Sequence, residues 1–250
     1  MKLALMSDIH ANIQAFDACL AHAQDHGAQQ FAILGDLVGY GADPVAVVQR
    51  VQELAKDGAR IIKGNHDAMA VSPPTSVKTM GDNGAAWTHA QLDDAQRQFL
   101  DQLPLTLQQD TMLLVHASVD EPALWRYIYD ERAAGASMDA AASRPDVRHV
   151  FGGHVHQQSL YYRGTGADLM KFTPTPGVVV PVPHHRHWLA TVGSVGQPRD
   201  GNPQAMYALF DTHKLQLTFQ RVSYDHRGAA AAIRQADLPA LFADRLETGR

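Results

Sequence analysis

KLALMSDIH, residues 2–10, runs from four consecutive apolar residues straight into Ser7, Asp8 and His10. A run this short has the length of a strand buried on both faces. The same plan returns in FAILGDLVGYG (31–41) and RIIKGNHD (60–67), each an apolar run that empties into a polar cluster. Between them, 11–26 reads as a helix stopped by Gly27. The segment 44–57 reads as a second helix, with Asp43 at its N-cap, Pro44 in first place and Gly58 beyond its end. This is a βαβαβ order. The loops carrying Asp8, Asp36 and Asn65 therefore leave the carboxyl ends of neighbouring parallel strands, where open α/β sheets bind their ligands.

Further along the rhythm is interrupted twice. Residues 68–110 read as loop followed by a helix near 93–102, and 119–146 as loop and helix, so both look like helical insertions. TMLLVH (111–116) and VRHVF (147–151) supply strands that end at or just before a histidine. From 156 onward QSLYYR, WLATVG, AMYALFD and KLQLTFQRV alternate as largely antiparallel strands do, and two helices rich in alanine and leucine follow. Clusters of Pro and Gly at 173–183 and 193–203 read as long loops between strands. The organisation expected is one domain, 1–250.

Bulk composition narrows the function. A net charge of −5 offers no basic face for stable nucleic-acid binding, so an anionic substrate must be gripped locally. Cys19, the one cysteine, cannot pair internally and falls on the apolar side of the first helix as a small core residue. No run of 18 apolar residues exists, and the expectation is a soluble, cytoplasmic protein without a membrane segment. The sequence carries no signal for an oligomeric state.

Potential metal ligands gather at the strand ends: Asp8 and His10, Asp36 in GDLVGYG, Asn65 and His66 in GNHD, His116 in VHAS, and His154 and His156 in GGHVH. The order DxH, GD, GNHD, H, GHxH resembles the calcineurin-like metallophosphoesterase superfamily, and in particular its small bacterial phosphodiesterases and diadenosine tetraphosphatase-like members. The resemblance covers 8–156, with an echo at 193–201. It implies an α/β fold built as a four-layered αββα sandwich with a dinuclear centre. One metal would take Asp8, His10, Asp36 and His156, and the second Asp36, Asn65, His116 and His154. A carboxylate such as Asp36 can offer an oxygen to each of two cations, which histidine cannot do. A mixed oxygen and nitrogen shell without thiolate suits Mn, Fe, Co or Zn better than Ca or Mg.

The resemblance further implies hydrolysis of a phosphodiester or nucleotide phosphoanhydride by a hydroxide that the two metals share, with Asp36 bridging and His66 steadying charge or protonating the leaving oxygen. Asn12 could cap the first helix or orient the site. Tyr40 could stack on a base or pack its loop, Arg199 in GSVGQPRDG could reach a phosphate or pair with Asp200, and Trp125, with Arg126, Tyr127 and Tyr129, could form a lid or simply pack the second insertion. His184, His185 and His187 sit in a proline-rich loop with no carboxylate beside them and are set aside. A serine/threonine protein phosphatase or a phosphomonoesterase is the alternative, but the GDxVDRG and RGNHE loops of the protein phosphatases carry arginines where this chain reads GDLVGYG and KGNHD. A non-catalytic binding module should have lost ligands, and none of these positions has lost its competent residue.

Overall fold

Both faces of β1 (Lys2–Met6) are covered, and its alternation sorts the core: Leu3 and Leu5 join one hydrophobic cluster, Ala4 and Met6 another. The computed structural model describes residues 1–79, 81–163 and 168–250. Helices α1 (Ile13–Asp25) and α2 (Pro44–Lys56) are the crossovers that lay β2 (Gln30–Ile33) and β3 (Arg60–Ile61) parallel to β1 and to each other. Then come α3 (Asn65–Val71), α4 (Ala85–Gln91), α5 (Asp94–Gln102), β4 (Thr106–Gln109) and β5 (Met112–Val115). A single 3₁₀ turn, Pro122–Leu124, precedes α6 (Glu131–Ala141) and β6 (His149–Gly152). The rest is β7 (Gln158–Arg163), β8 (Leu169–Phe172), β9 (Val179–Pro181), β10 (His187–Val192), β11 (Ala205–Asp211), β12 (Gln216–Val222), α7 (His226–Gln235) and α8 (Ala240–Thr248).

These strands form two six-stranded mixed sheets, ordered β3-β2-β1-β11-β12-β9 and β4-β5-β6-β10-β7-β8. Face to face they enclose Leu3, Leu5, Phe151, Leu160, Phe210 and Phe219. On the outer face of the first sheet, Phe16, Cys19 and Leu20 of α1 and Val47, Val48 and Val51 of α2 pack over Ala4 and Met6. On the outer face of the second, Ala134, Met138 and Ala141 of α6 cover Leu113, Val150 and Tyr161. Each fully buried large aliphatic contributes roughly 1.5–3 kcal/mol, so the four αββα layers hold one another in register. Among the described residues no helix is long and apolar enough to cross a membrane.

Two stretches are more ordered than their composition suggests. Between 68 and 110 α3 runs on to Val71 and α4 and α5 follow, Leu92 and Leu100 enter the core around α1, and β4 adds an edge strand to the second sheet. Inside the proline-rich cluster at 173–183, β9 pairs with β12. β9 is an edge strand, where the missing N–H of Pro181 breaks no interior ladder.

Candidate metal centre

Five strand ends deliver the site. β1 releases Asp8 and His10, β2 Asp36, β3 Asn65 and His66, β5 His116, and β6 His154 and His156. The loops are stitched together by their backbones: Asp8 N–H donates to Gly35 O at 3.1 Å and His10 N–H to Asp36 O at 3.0 Å. Asp8, His10, Asp36, His154 and His156 all have left-handed backbones, with φ of 54°, 50°, 52°, 67° and 55°. For non-glycine residues this costs on the order of 1–3 kcal/mol each, so strain is concentrated where these side chains meet. Two motif glycines are required by close approach. A Cβ on Gly64 would lie 2.2 Å from Asp36 Oδ1, and one on Gly153 would lie 1.9 Å from Ser7 Oγ and 2.3 Å from Asp8 Oδ2.

The histidine tautomers follow from the carbonyls they face, because a carbonyl only accepts. His10 Nδ1–H donates to Val38 O at 3.1 Å and His156 Nδ1–H to Gln197 O at 2.6 Å. Both Nε2 atoms therefore present lone pairs, and they stand 3.2 Å apart, with Asp8 Oδ1 3.3 Å from His156 Nε2. Burial drives both imidazoles well below their usual pKa, for His156 aided by the Arg199 charge. Two neutral lone pairs facing each other beside a carboxylate make a candidate cation site.

A second group lies alongside. His116 Nδ1–H donates to Leu34 O at 2.7 Å, turning its Nε2 to Asp36 Oδ2 at 3.3 Å and to Asn65 Oδ1 at 3.2 Å. Asp36 Oδ2 is also 3.7 Å from His10 Nε2, so one carboxylate faces both groups. Burial opposes its ionisation, but His116 and His66 beside it hold it well below the carboxylate range. His154 Nε2 is buried without a hydrogen-bond partner. Asp8–His10–His156, His10–Asp36–His66 and Asp36–His116–His154 each bring one ligand atom per residue within 4.8 Å of the others. The donor set fits divalent metal ions: it holds an orphaned nitrogen, opposed lone pairs and buried carboxylates.

Around this centre opens a cavity of about 560 Å³ lined by Asn65, His66, His154, Tyr40, Trp125 and Arg199. His66 N–H donates to Asp36 Oδ1 at 2.8 Å, and its ring lies 4.4 Å from Tyr40 and 4.9 Å from His10. Arg199 does not pair with Asp200, which is taken by Arg221; its guanidinium donates to Gln197 Oε1 and lies 5.5 Å over the Tyr40 ring. Asn12 caps α1 and also reaches the loop of Arg199. Its Oδ1 accepts Ala15 N–H at 3.1 Å as the cap of α1, and its Nδ2 donates to Gly196 O at 2.9 Å in the loop of Arg199. His184 packs against His149, ring centroids 5.3 Å apart, and none of His184, His185 and His187 joins a ligand group among the described residues.

Other contributors, Tyr127 apart, had little or no sequence signal. Asp67, last of GNHD, is fully buried and accepts Leu37 N–H and Gly64 N–H at 2.8 Å each and Val38 N–H at 3.3 Å, tying the Asp36 loop to the Asn65 turn. Ser194 Oγ–H donates to Asp8 O at 2.8 Å. Tyr127, rather than Trp125, lies flat on a site histidine, its ring 4.0 Å from His154 and stacked in turn on Tyr129. Arg245 of α8 reaches the cavity from outside every motif.

The calcineurin-like phosphoesterase superfamily domain profile matches residues 1–215. An uncharacterized protein of Methanocaldococcus jannaschii is 29% identical, over 99% of this chain and 98% of its own length. A metallophosphoesterase of Sphaerobacter thermophilus superposes with a TM-score of 0.86 at 32% identity, covering 100% of this chain and 99% of that one. A hypothetical protein of Pyrococcus horikoshii, 19% identical over 100% of this chain and 98% of its own, shares the fold with a TM-score of 0.78. With the strand-end ligand groups and this whole-chain likeness, the chain belongs to the calcineurin-like phosphoesterase superfamily and is a metal-dependent phosphoric ester hydrolase.

Proposed function

We propose that the protein hydrolyses a phosphodiester or a nucleotide phosphoanhydride with two divalent transition-metal ions, drawn from Mn, Fe, Zn and Co. The observation that carries the reading is the single Asp36 carboxylate set between His10 and His116, with the His10 and His156 lone pairs opposed beside it. Asp8, His10, Asp36 and His156 would hold one ion, and Asp36, Asn65, His116 and His154 the other. When bound, such a pair supplies charge to the phosphoryl oxygens and lowers the pKa of water toward neutrality.

The chain's own residues do the rest. His66 faces the cavity with its backbone fixed on Asp36, placed to give a proton to the leaving oxygen. Tyr40, Trp125 and Tyr127 offer aromatic faces to a base or other planar leaving group, in a cavity large enough for a nucleotide-sized ligand. The loop after Asp36 brings Tyr40 to the site instead of the guanidinium of the protein phosphatase pattern, which leaves less to clamp a monoester dianion.

The test is a comparison of kcat/KM on manganese-reconstituted protein at one pH. Dinucleotides and dinucleoside polyphosphates should exceed phosphoserine peptides. A clear preference for the phosphopeptide would replace this reading with a protein phosphatase.

A further inference from the structure

We infer that Arg199 and Arg245 together form a subsite for a second, non-scissile phosphate of the substrate. This rests on reading the cavity as the site of phosphoester hydrolysis proposed above. The two residues come from unrelated places, Arg199 from the loop between β10 and β11 and Arg245 from the final helix, α8, yet both line the same cavity. They meet at Tyr40, whose ring lies 5.5 Å from the Arg199 guanidinium carbon and beside Arg245.

The charges are left uncompensated. Among the described residues neither guanidinium forms an ion pair with a carboxylate. Arg199 spends Nε and Nη2 on the neutral Gln197 Oε1, at 3.2 and 2.7 Å. Asp82, the acid lining the cavity, is turned to its own loop, its Oδ2 accepting the N–H groups of Lys78 and Thr79 at 2.8 Å. Burial, and after it the charge of Arg199, depresses the pKa of Arg245, as expected where two cations share one wall. In a chain of net charge −5 such a pair is a local feature, and a dianion bridging both would turn repulsion into charge-assisted hydrogen bonds.

Placement fixes the anion's role. Arg199 N–H donates to His156 O at 3.4 Å, and Tyr40 lies 4.7 Å from the His10 ring, so the pair stands one aromatic ring away from the candidate metal ligands. A phosphate next to the one held at the centre, on the same nucleotide, is the anion this placement suits. The helix is held there in advance: Phe242 packs edge-on against Tyr40 at 4.9 Å, and Gly201 N–H donates to Gly249 O at 2.7 Å. Little ordering is left for the ligand to impose.

Calorimetry on manganese-loaded protein tests this with adenosine 3′,5′-bisphosphate and adenosine 5′-monophosphate as probes. Wild type should bind the bisphosphate about tenfold or more tightly, since an Arg–phosphate contact is worth at least that. Arg199→Gln and Arg245→Gln should each shrink the preference, and the double variant should abolish it with metal content unchanged. The wild-type preference should also fall steeply with salt, a readout independent of whether the variants fold. Equal affinities in wild type, or a preference that survives in the double variant, overturns the subsite. If the preference holds while dinucleotides are not turned over, the subsite stands and the phosphodiesterase reading falls.

Discussion

His10 Nε2 stands 3.2 Å from His156 Nε2 although each ring already donates its Nδ1 proton to a backbone carbonyl. Opposed lone pairs repel, and a divalent cation held by the two histidines would relieve that repulsion. Chelation should therefore lower the melting temperature and manganese restore it. Metal at about 100 times its Kd stabilises by roughly 2.7 kcal/mol, or about 5–10 °C for a chain of this length. Thermal scans with chelator and with added metal measure the shift, and His156→Gln should shrink it. An unchanged melting temperature would remove the metal from this pair.

Asp36→Asn should cost more than the 10–100-fold typical of losing a partner that only orients a ligand, because the amide cannot carry the charge that faces both ligand groups. Elemental analysis of the variant should give fewer than two metals per chain. Full activity, or two metals retained with normal turnover, would end the shared-carboxylate arrangement.

His66→Ala should keep its metals and slow turnover by roughly 10²–10⁴, less for esters with good leaving groups than for poor ones. His66 also stands within ligand range of His10 and Asp36, so metal content discriminates: a loss of metal would make it a ligand instead of a proton donor.

Local sequence order is enough to recover much of this site. Each apolar run ends where its strand ends, so DIH, GD and GNHD are read directly as loops at one edge of a sheet. Contacts made by distant segments are different. Arg245 lies in a helix with no motif, and tertiary contacts such as the packing of Phe242 on Tyr40 bring it to the cavity. Asp67 is written in GNHD, but its hydrogen bonds to Leu37 and Val38 belong to another loop and appear only when the strands are neighbours. β9 was hidden because its edge position, not its composition, decides that Pro181 can pair.

Gly153→Ala tests how tightly the loops must approach. The added methyl would meet Ser7 Oγ and the Asp8 carboxylate well inside contact distance, and both sit on the strand end that carries a candidate ligand. Asp8 should be displaced, and metal affinity should fall by about 10-fold or more, as when an orienting contact is lost. Equilibrium dialysis checks this, and unchanged affinity would mean the loop yields without moving Asp8.

His149 predicts an acid weakness remote from the metal centre. It is fully buried, its Nε2–H donates to Val182 O at 2.8 Å, and Phe210 and His184 lie against it. Burial pushes its pKa down to about 4, against the pull of the Val182 carbonyl and with help from the charges of His184, Arg148 and His187. The folded state therefore binds fewer protons than the unfolded chain, whose histidine titrates near 6.5. Stability from this group is complete above that pH, falls as pH drops toward 4, and is constant below, where the folded form is protonated too. The full loss amounts to about 3 kcal/mol. Denaturation of chelated protein between pH 7 and pH 4 measures it, with His149→Gln as the comparison, since glutamine can still donate to Val182 O but carries no titrating group. The wild type should lose more stability than the variant across this interval. Parallel curves would show that His149 is not the group whose charging weakens the fold.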